Sequence, residues 1–251
     1  MMSELELIID LNKDSQRQGP GSEKDTLLAL NFMDLPQDND LKLADIGCGS
    51  GGQTLTLAQN LNGHITAVDL FPEFLAELNE KSKKLGLEGK IKTLKASMDN
   101  LPFTKGEFDV IWSEGAIYIM GFSKGIQYWK QFLTDGGYLA LSEITWTTNS
   151  RPQEIENFWI GEYPEIDTAS KKIKILEAHG FTLVSYFTLS QESWIENYYK
   201  PLESQYGNFL KRHENSDLAK KIVRDYRSEI ELYMTYKEYY SYGFYLAKKT
   251  E

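Results

Sequence analysis

This chain has little of four things, and each scarcity removes a class of protein. It holds one cysteine among 251 residues, Cys48, so no internal disulfide is available and a reducing cytoplasm suits it. Its three histidines, His64, His179 and His213, lie far apart in sequence. None joins a Cys or an acid at metal-ligand spacing, and no Ser-His-Asp arrangement is suggested, so neither a metal nor a hydrolase triad is expected. Apolar residues never run for the ~18 positions that a membrane span needs, and the start, MMSELELIID, is acidic where a secretory signal is basic. Positive charge is scarce as well. With 27 Lys and Arg against 37 Asp and Glu the net charge is −10, and the short basic patches, Lys81-Ser82-Lys83-Lys84 and Lys171-Lys172, read as solvated helix faces. Such a balance repels phosphate backbones, so neither nucleic acid nor membrane is an expected partner.

What is present reads as one α/β unit, 1–251, of which 41% is hydrophobic, enough to bury a sizeable core. Its most informative stretch is Leu41 to Gly52, LKLADIGCGSGG. Leu41, Leu43 and Ile46 make the apolar run of a covered parallel strand. Gly47, Gly49 and Gly51 then turn the chain into a helix begun by Gln53, leaving bare backbone for a ligand to approach. Cys48 fits that turn as a small side chain rather than a nucleophile. Asp45 stands two residues before the first glycine, and Asp69 closes the next apolar run in HITAVDLFP, where a ribose diol expects its acceptor. A pyrophosphate at the helix N-terminus would be repelled by Asp45, whereas S-adenosylmethionine brings an ammonium and a sulfonium. Gly47, Gly49 and Gly52 also satisfy the G-x-G-x-x-G of NAD(P)-dependent oxidoreductases, which stays as a rival reading, as does a non-catalytic module that only binds S-adenosylmethionine. No Gly-Lys-Ser/Thr follows the glycines, which excludes a phosphate-cradling NTPase loop.

Further landmarks follow in order: Asn100-Leu101-Pro102-Phe103, then Glu107-Phe108-Asp109-Val110-Ile111-Trp112, then Asp135-Gly136-Gly137-Tyr138-Leu139. With Asp45-Ile46-Gly47-Cys48-Gly49-Ser50-Gly51 they make residues 40–145 resemble the class I S-adenosylmethionine-dependent methyltransferases, in a small-molecule branch similar to the quinone-biosynthesis C-methyltransferases. The resemblance implies a Rossmann-like seven-stranded, mostly parallel sheet of order 3-2-1-4-5-7-6 with the last strand antiparallel. It implies S-adenosylmethionine as cofactor, S-adenosylhomocysteine as product, and cofactor contacts from Asp45, Gly47, Gly49, Gly51, Asp69, Leu70, Ser97, Met98 and Ser113. Ala96-Ser97-Met98 stands where the family often has Gly-Asp-Ala, so the adenine would meet a hydroxyl and a backbone N–H instead of a carboxylate. Residues 1–36 would pack over the cofactor through the loop Gln18-Gly19-Pro20-Gly21-Ser22, with Gly21 admitting close backbone approach and Arg17 on the methionine carboxylate; an ordinary linker before a helix cap is the alternative.

Strands 108–112 and 138–146 deliver Glu114 and Glu143 to the strand ends, the two candidates should a general base be needed. Helical segments at 147–168 and 190–237 read as insertions that make a lid, substrate or interface layer. These carry unusually many aromatics: Trp146, Phe158, Trp159, Tyr163, Trp194, Tyr198, Tyr199, Tyr206 and Phe209 lie in or beside them. Most such side chains pack a core or a subunit interface, which leaves a homo-oligomer open, and two or three are expected to touch the acceptor. Tyr118, Trp146, Tyr163 and Tyr198 are the candidates for a small-molecule methyl acceptor, methylated at O, N or C. Near the start, Ser22 is expected to cap a helix whose apolar face is Leu27, Leu28, Leu30 and Phe32. Pro72 and Gly86 bound another, with Phe74, Leu75, Leu78 and Leu85 inward.

Overall fold

Strand alternation decides which way each functional side chain points, and the sheet is therefore described first. A computed structural model describes residues 2–36 and 40–250. Its strands are β1 (Leu41–Ile46), β2 (Gly63–Asp69), β3 (Ile91–Lys95), β4 (Phe108–Glu114), β5 (Leu133–Trp146), β6 (Asp167–Thr168), β7 (Phe181–Thr188) and β8 (Tyr240–Lys249). The sheet runs β3-β2-β1-β4-β5-β8-β7, with β6 paired beside β5. Only β8 runs against its neighbours. This is the expected 3-2-1-4-5-7-6 topology once the two-residue β6 is counted. The strand order reverses between β1 and β4, where the open crevice of such a sheet lies above the strand C-termini.

Helices cover both faces. On one, α2 (Glu23–Asn31), α3 (Gly52–Asn60) and α4 (Pro72–Lys84) bury Ala29, Leu57, Leu75 and Leu78 against Leu43, Ile65, Val110 and Trp112. On the other, α5 (Phe122–Trp129) and α7 (Ala169–Ala178) pack on Ala44, Ile46, Ile111 and Leu139. Phe122, Ile126 and Trp129 recur at helical spacing and are fully buried, each contributing on the order of 1.5–3 kcal/mol.

The remaining helices form a cap over one end of the sheet. They are α1 (Glu4–Asn12), α6 (Gln153–Glu162), α8 (Gln191–Trp194), α9 (Lys200–Arg212) and α10 (Asp217–Tyr236). Ser3 closes a capping box on α1 with Glu6. Leu7 and Leu11 of α1 share a core with Tyr199, Phe209, Ile222 and Tyr233, and Asp10 accepts from Arg212 Nη2 and meets His213, both at 2.8 Å. The N-terminal segment and the second insertion are thereby one cap. Between α8 and α9 the chain widens into a π-helical turn, Ile195–Tyr199, ahead of Pro201, which has no N–H to give the carbonyl four residues back.

Two helix faces differ from expectation. On α2, Leu28 and Phe32 are exposed while Asp25, Thr26 and Ala29 are buried, because Ser193 donates to Asp25 at 2.6 Å and Thr26 to Glu114 at 2.8 Å. Leu85 is also exposed, since it sits at the C-cap of α4, beyond the turn that faces the sheet.

Candidate active site

Above the C-terminal ends of β1, β2 and β4 lies a cavity of about 630 Å³, reaching from the glycine turn to the cap. Two of the three glycines give it their backbone. Gly47 has φ +76° and Gly49 φ +53°, both line the cavity, and a Cβ on Gly49 would stand 2.1 Å from Gln18 Oε1. Gln18, which sequence reasoning did not single out, is tied across the turn: its Oε1 accepts from Ser50 N at 2.8 Å and its Nε2 donates to Ser50 Oγ at 3.0 Å. Gly51 is a correction. It caps α3 with φ +88° and abuts Leu78 of α4, where a Cβ would come within 2.2 Å, so it serves helix packing and does not face the cavity.

The two acids divide. Asp69 lines the cavity, accepts from Gly49 N and Phe71 N at 2.9 Å each, and keeps lone pairs for a further donor. Burial raises its pKa against those backbone donors. Asp45 does not line the cavity, contrary to the sequence reading. It shares a strand face with Leu41 and Leu43 and points into the start of α3, accepting from Thr54 Oγ1 at 2.5 Å and Gln53 Nε2 at 3.3 Å. It thus fixes the helix start behind the turn. Burial pushes its carboxyl up to about 7 from 3.8. A raised folded pKa makes the protonated form the one that folding favours, so the stability contribution of Asp45 falls as pH climbs from about 4 through about 7. Asp45→Asn should lack that slope: urea unfolding at pH 5 and pH 8 should show a smaller loss in the variant than in the parent. Equal losses would contradict the buried placement.

Arg17, Glu114 and Thr26 form one buried latch. Arg17 Nη1 donates to Glu114 Oε2 at 2.6 Å and Nη2 to Thr26 Oγ1 at 3.0 Å, while Trp112 Nε1 donates to Glu114 Oε1 at 2.9 Å. Both ends line the cavity, yet Arg17 is already paired and Glu114 already accepts three hydrogen bonds. Arg17, expected on a ligand carboxylate, and Glu114, expected as a candidate base, are paired with each other at the cavity wall. Gly21 lies behind this pair, and the loop reaches the cavity through Gln18, Gly19 and Pro20 instead.

Glu143 is a second correction of the same kind. With Leu139 and Leu141 it faces α7, where Lys172 Nζ meets it at 3.3 Å, both side chains being shut off from solvent. Ser113 faces that side too and donates to Ile46 O at 2.8 Å, stitching β4 to β1. Trp146 packs against Tyr240, with the Arg151 guanidinium 4.2 Å from its ring, and does not reach the main cavity.

Leu70, Ser97 and Met98 line the cavity with the glycine turn, and Trp129 Nε1 holds the Met98 carbonyl at 2.9 Å. Tyr118, Tyr163 and Tyr198 line the cap end with Phe158, Trp159 and Trp194. Five of the nine insertion aromatics line the cavity wall, and Trp146, Tyr199, Tyr206 and Phe209 form the cap core. Residues overlooked in sequence include Ile8 and Asn12 of α1, Glu162 of α6, and Tyr226 and Glu229 of α10. The periodicity of α10 carried a signal: Tyr226, Glu229 and Tyr233 recur on one helical face.

The charges choose the nucleotide. Among described residues the lining holds one cation, Arg17, already paired, against Asp69, Glu114, Glu162 and Glu229. No free positive side chain awaits a pyrophosphate, and an acidic lining suits an ammonium and a sulfonium. The electrostatic distinction first drawn from Asp45 rests instead on this lining. With Gly47, Gly49 and Asp69 presenting bare backbone and a carboxylate, the residues fit S-adenosylmethionine. No group of three or more His, Cys, Asp and Glu side chains able to hold a metal occurs among the described residues.

Comparison with known proteins bears on the fold and on the domain family. Residues 43–137 match the methyltransferase domain family. An uncharacterised protein of Haemophilus influenzae is 25% identical over 68% of this chain and 75% of its own length. The sterol 24-C-methyltransferase erg-4 of Neurospora crassa is 22% identical over 66% of this chain, which spans 46% of that protein. Among solved structures, a SAM-dependent methyltransferase of Geobacter sulfurreducens in complex with S-adenosyl-L-homocysteine superimposes with a TM-score of 0.84 at 17% identity, covering 96% of this chain and 97% of that one. The fold is the α/β Rossmann-like methyltransferase fold.

Proposed function

We propose that this S-adenosylmethionine-dependent methyltransferase transfers the donor methyl to an O, N or C nucleophile of a small molecule enclosed between the sheet edge and the cap. The observation that carries this reading is the single cavity joining Gly47, Gly49 and Asp69 to an aromatic chamber. Asp69 is assigned to the ribose hydroxyls, the backbone at Gly47 and Gly49 to the amino-acid part, and Leu70, Ser97 and Met98 to the adenine. When bound, the cofactor supplies an electrophilic methyl carbon on a sulfonium. The chain's own residues then bind, align and exclude water: the cap aromatics give a dry wall, and the Arg17–Glu114 latch holds the N-terminal loop over the glycine turn. The 147–168 and 190–237 insertions shape the acceptor end.

Quinone-type ring carbons are one acceptor class, supported by the sequence resemblance and by the apolar wall. A cytoplasmic protein acting on a free metabolite rather than on nucleic acid accords with the lone cysteine and the net charge of −10, and the aromatic cap leaves room for a homo-oligomer. No helix among the described residues is long and apolar enough to cross a membrane. Asp69→Ala should weaken S-adenosylhomocysteine binding by about 1–3 kcal/mol in calorimetric titration, because the ribose hydroxyls lose their acceptor. Unchanged affinity would remove the placement. Mass spectrometry of metabolites labelled by the purified protein tests catalysis itself, and an unlabelled metabolite pool would favour a silent binding module.

A further inference from the structure

The cap end of the cavity holds charge that methyl transfer to a neutral ring has no use for. Glu162 of α6 and Glu229 of α10 both line it, away from the glycine turn, and no lysine or arginine pairs with either among the described residues. Glu229 has one hydrogen bond, accepted at Oε1 from Tyr199 Oη at 3.1 Å. Its second oxygen has no donor among the described residues. Around it the same chamber is walled by Tyr118, Trp194, Tyr198, Tyr226 and Tyr242, and the π-helical turn that places Tyr198 on the wall places Tyr199 on Glu229. A half-free carboxylate among ring faces attracts a cation twice, through Coulomb attraction and through the ring quadrupoles, and it repels phenolate or carboxylate acceptors.

We propose that the acceptor is an amine, bound as its ammonium ion with Glu229 as counter-ion and proton acceptor and the tyrosine and tryptophan faces as its walls. This rests on the methyl-transfer reading above and narrows its acceptor atom to nitrogen. The N–H bond breaks with its electron pair staying on nitrogen, and the proton passes to the unbonded Glu229 oxygen; ammonium and carboxylate become amine and carboxylic acid, and the freed pair is the nucleophile. Burial raises the proton affinity of Glu229, which favours this transfer.

The test uses the full chain saturated with S-adenosylhomocysteine, titrated calorimetrically with choline and with its neutral carbon isostere, 3,3-dimethylbutan-1-ol. Choline should bind at least about tenfold more tightly, and Glu229→Gln should abolish that preference while leaving S-adenosylhomocysteine affinity unchanged. Equal binding of the two probes, no binding of either, or a preference that survives Glu229→Gln would overturn the proposal. Should the variant fail to fold, the comparison of the two probes on the parent chain decides alone. In an activity panel, primary or secondary amines should be methylated; methylation of phenols or carboxylic acids alone would also overturn it. Failure of S-adenosylhomocysteine to bind would remove the methyl-transfer reading instead.

Discussion

Gly49→Val should lose S-adenosylhomocysteine binding by more than about 100-fold while the purified variant keeps its far-ultraviolet dichroism and cooperative unfolding. Position 49 holds φ +53°, a region that a β-branched residue adopts only under strain of about 1–3 kcal/mol. The first atom a Cβ meets is Gln18 Oε1, the far end of a flexible side chain, so the fold can yield there by releasing Gln18. The cavity cannot yield in the same way. Valine methyls would stand where the turn now offers bare backbone, beside the Asp69 carboxylate that Gly49 N caps at 2.9 Å. Calorimetry and thermal unfolding on the same preparation separate the two effects, and normal binding by a folded variant would refute the role given to the turn.

Lys172→Met should destabilise the protein by about 3–5 kcal/mol, read as a shift in the urea midpoint. Lys172 and Glu143 lie on the α7 face of the sheet with side-chain exposures of 0% and 1%, and Lys172 Nζ also sits 4.4 Å from the Phe122 ring centroid. Burial lowers the pKa of Lys172 and raises that of Glu143, so each charge is tolerated only beside the other. Removing the cation strands the carboxylate, whose Oε2 already has no hydrogen-bond partner. Replacing both, as Lys172→Met with Glu143→Leu, should recover most of the loss and leave S-adenosylhomocysteine binding intact, because neither side chain touches the cavity. A double variant as unstable as the single one, or one that no longer binds the nucleotide, would contradict this placement.

Why Glu143 was misread in sequence, while Asp69 reached the cavity as expected, is a matter of period two. Parallel strands deliver all their C-termini to one edge, and hydrophobic runs and glycine turns mark the strands and the glycine loop, while the sheet order came with the family resemblance those motifs carry. Which of the two sheet faces a side chain takes near that edge depends on a single residue of register. Asp45 follows Leu43 onto the α3 face, Glu143 follows Leu141 onto the α7 face, and Ser113 alternates away from Glu114. Strand-end position alone placed all four at the cavity, Asp45 and Ser113 as cofactor contacts and Glu114 and Glu143 as candidate bases. The latch of Arg17 with Glu114 joins residues 97 positions apart, and nothing local announces it. Likewise Glu229 meets its partners only where the cap brings α6, α10 and the π-helical turn together. Chemistry assembled between elements is marked on any one of them by little more than a face, as on α10.

The most direct measurement is a crystal structure of the protein grown with S-adenosylhomocysteine. Its ribose hydroxyls are expected on Asp69, its amino-acid part against the backbone of Gly47 and Gly49, and its sulfur facing the chamber that Glu229 and the cap tyrosines enclose. The nucleotide bound outside this cavity, or a dinucleotide lodged across the glycine turn in its place, would contradict the assignment.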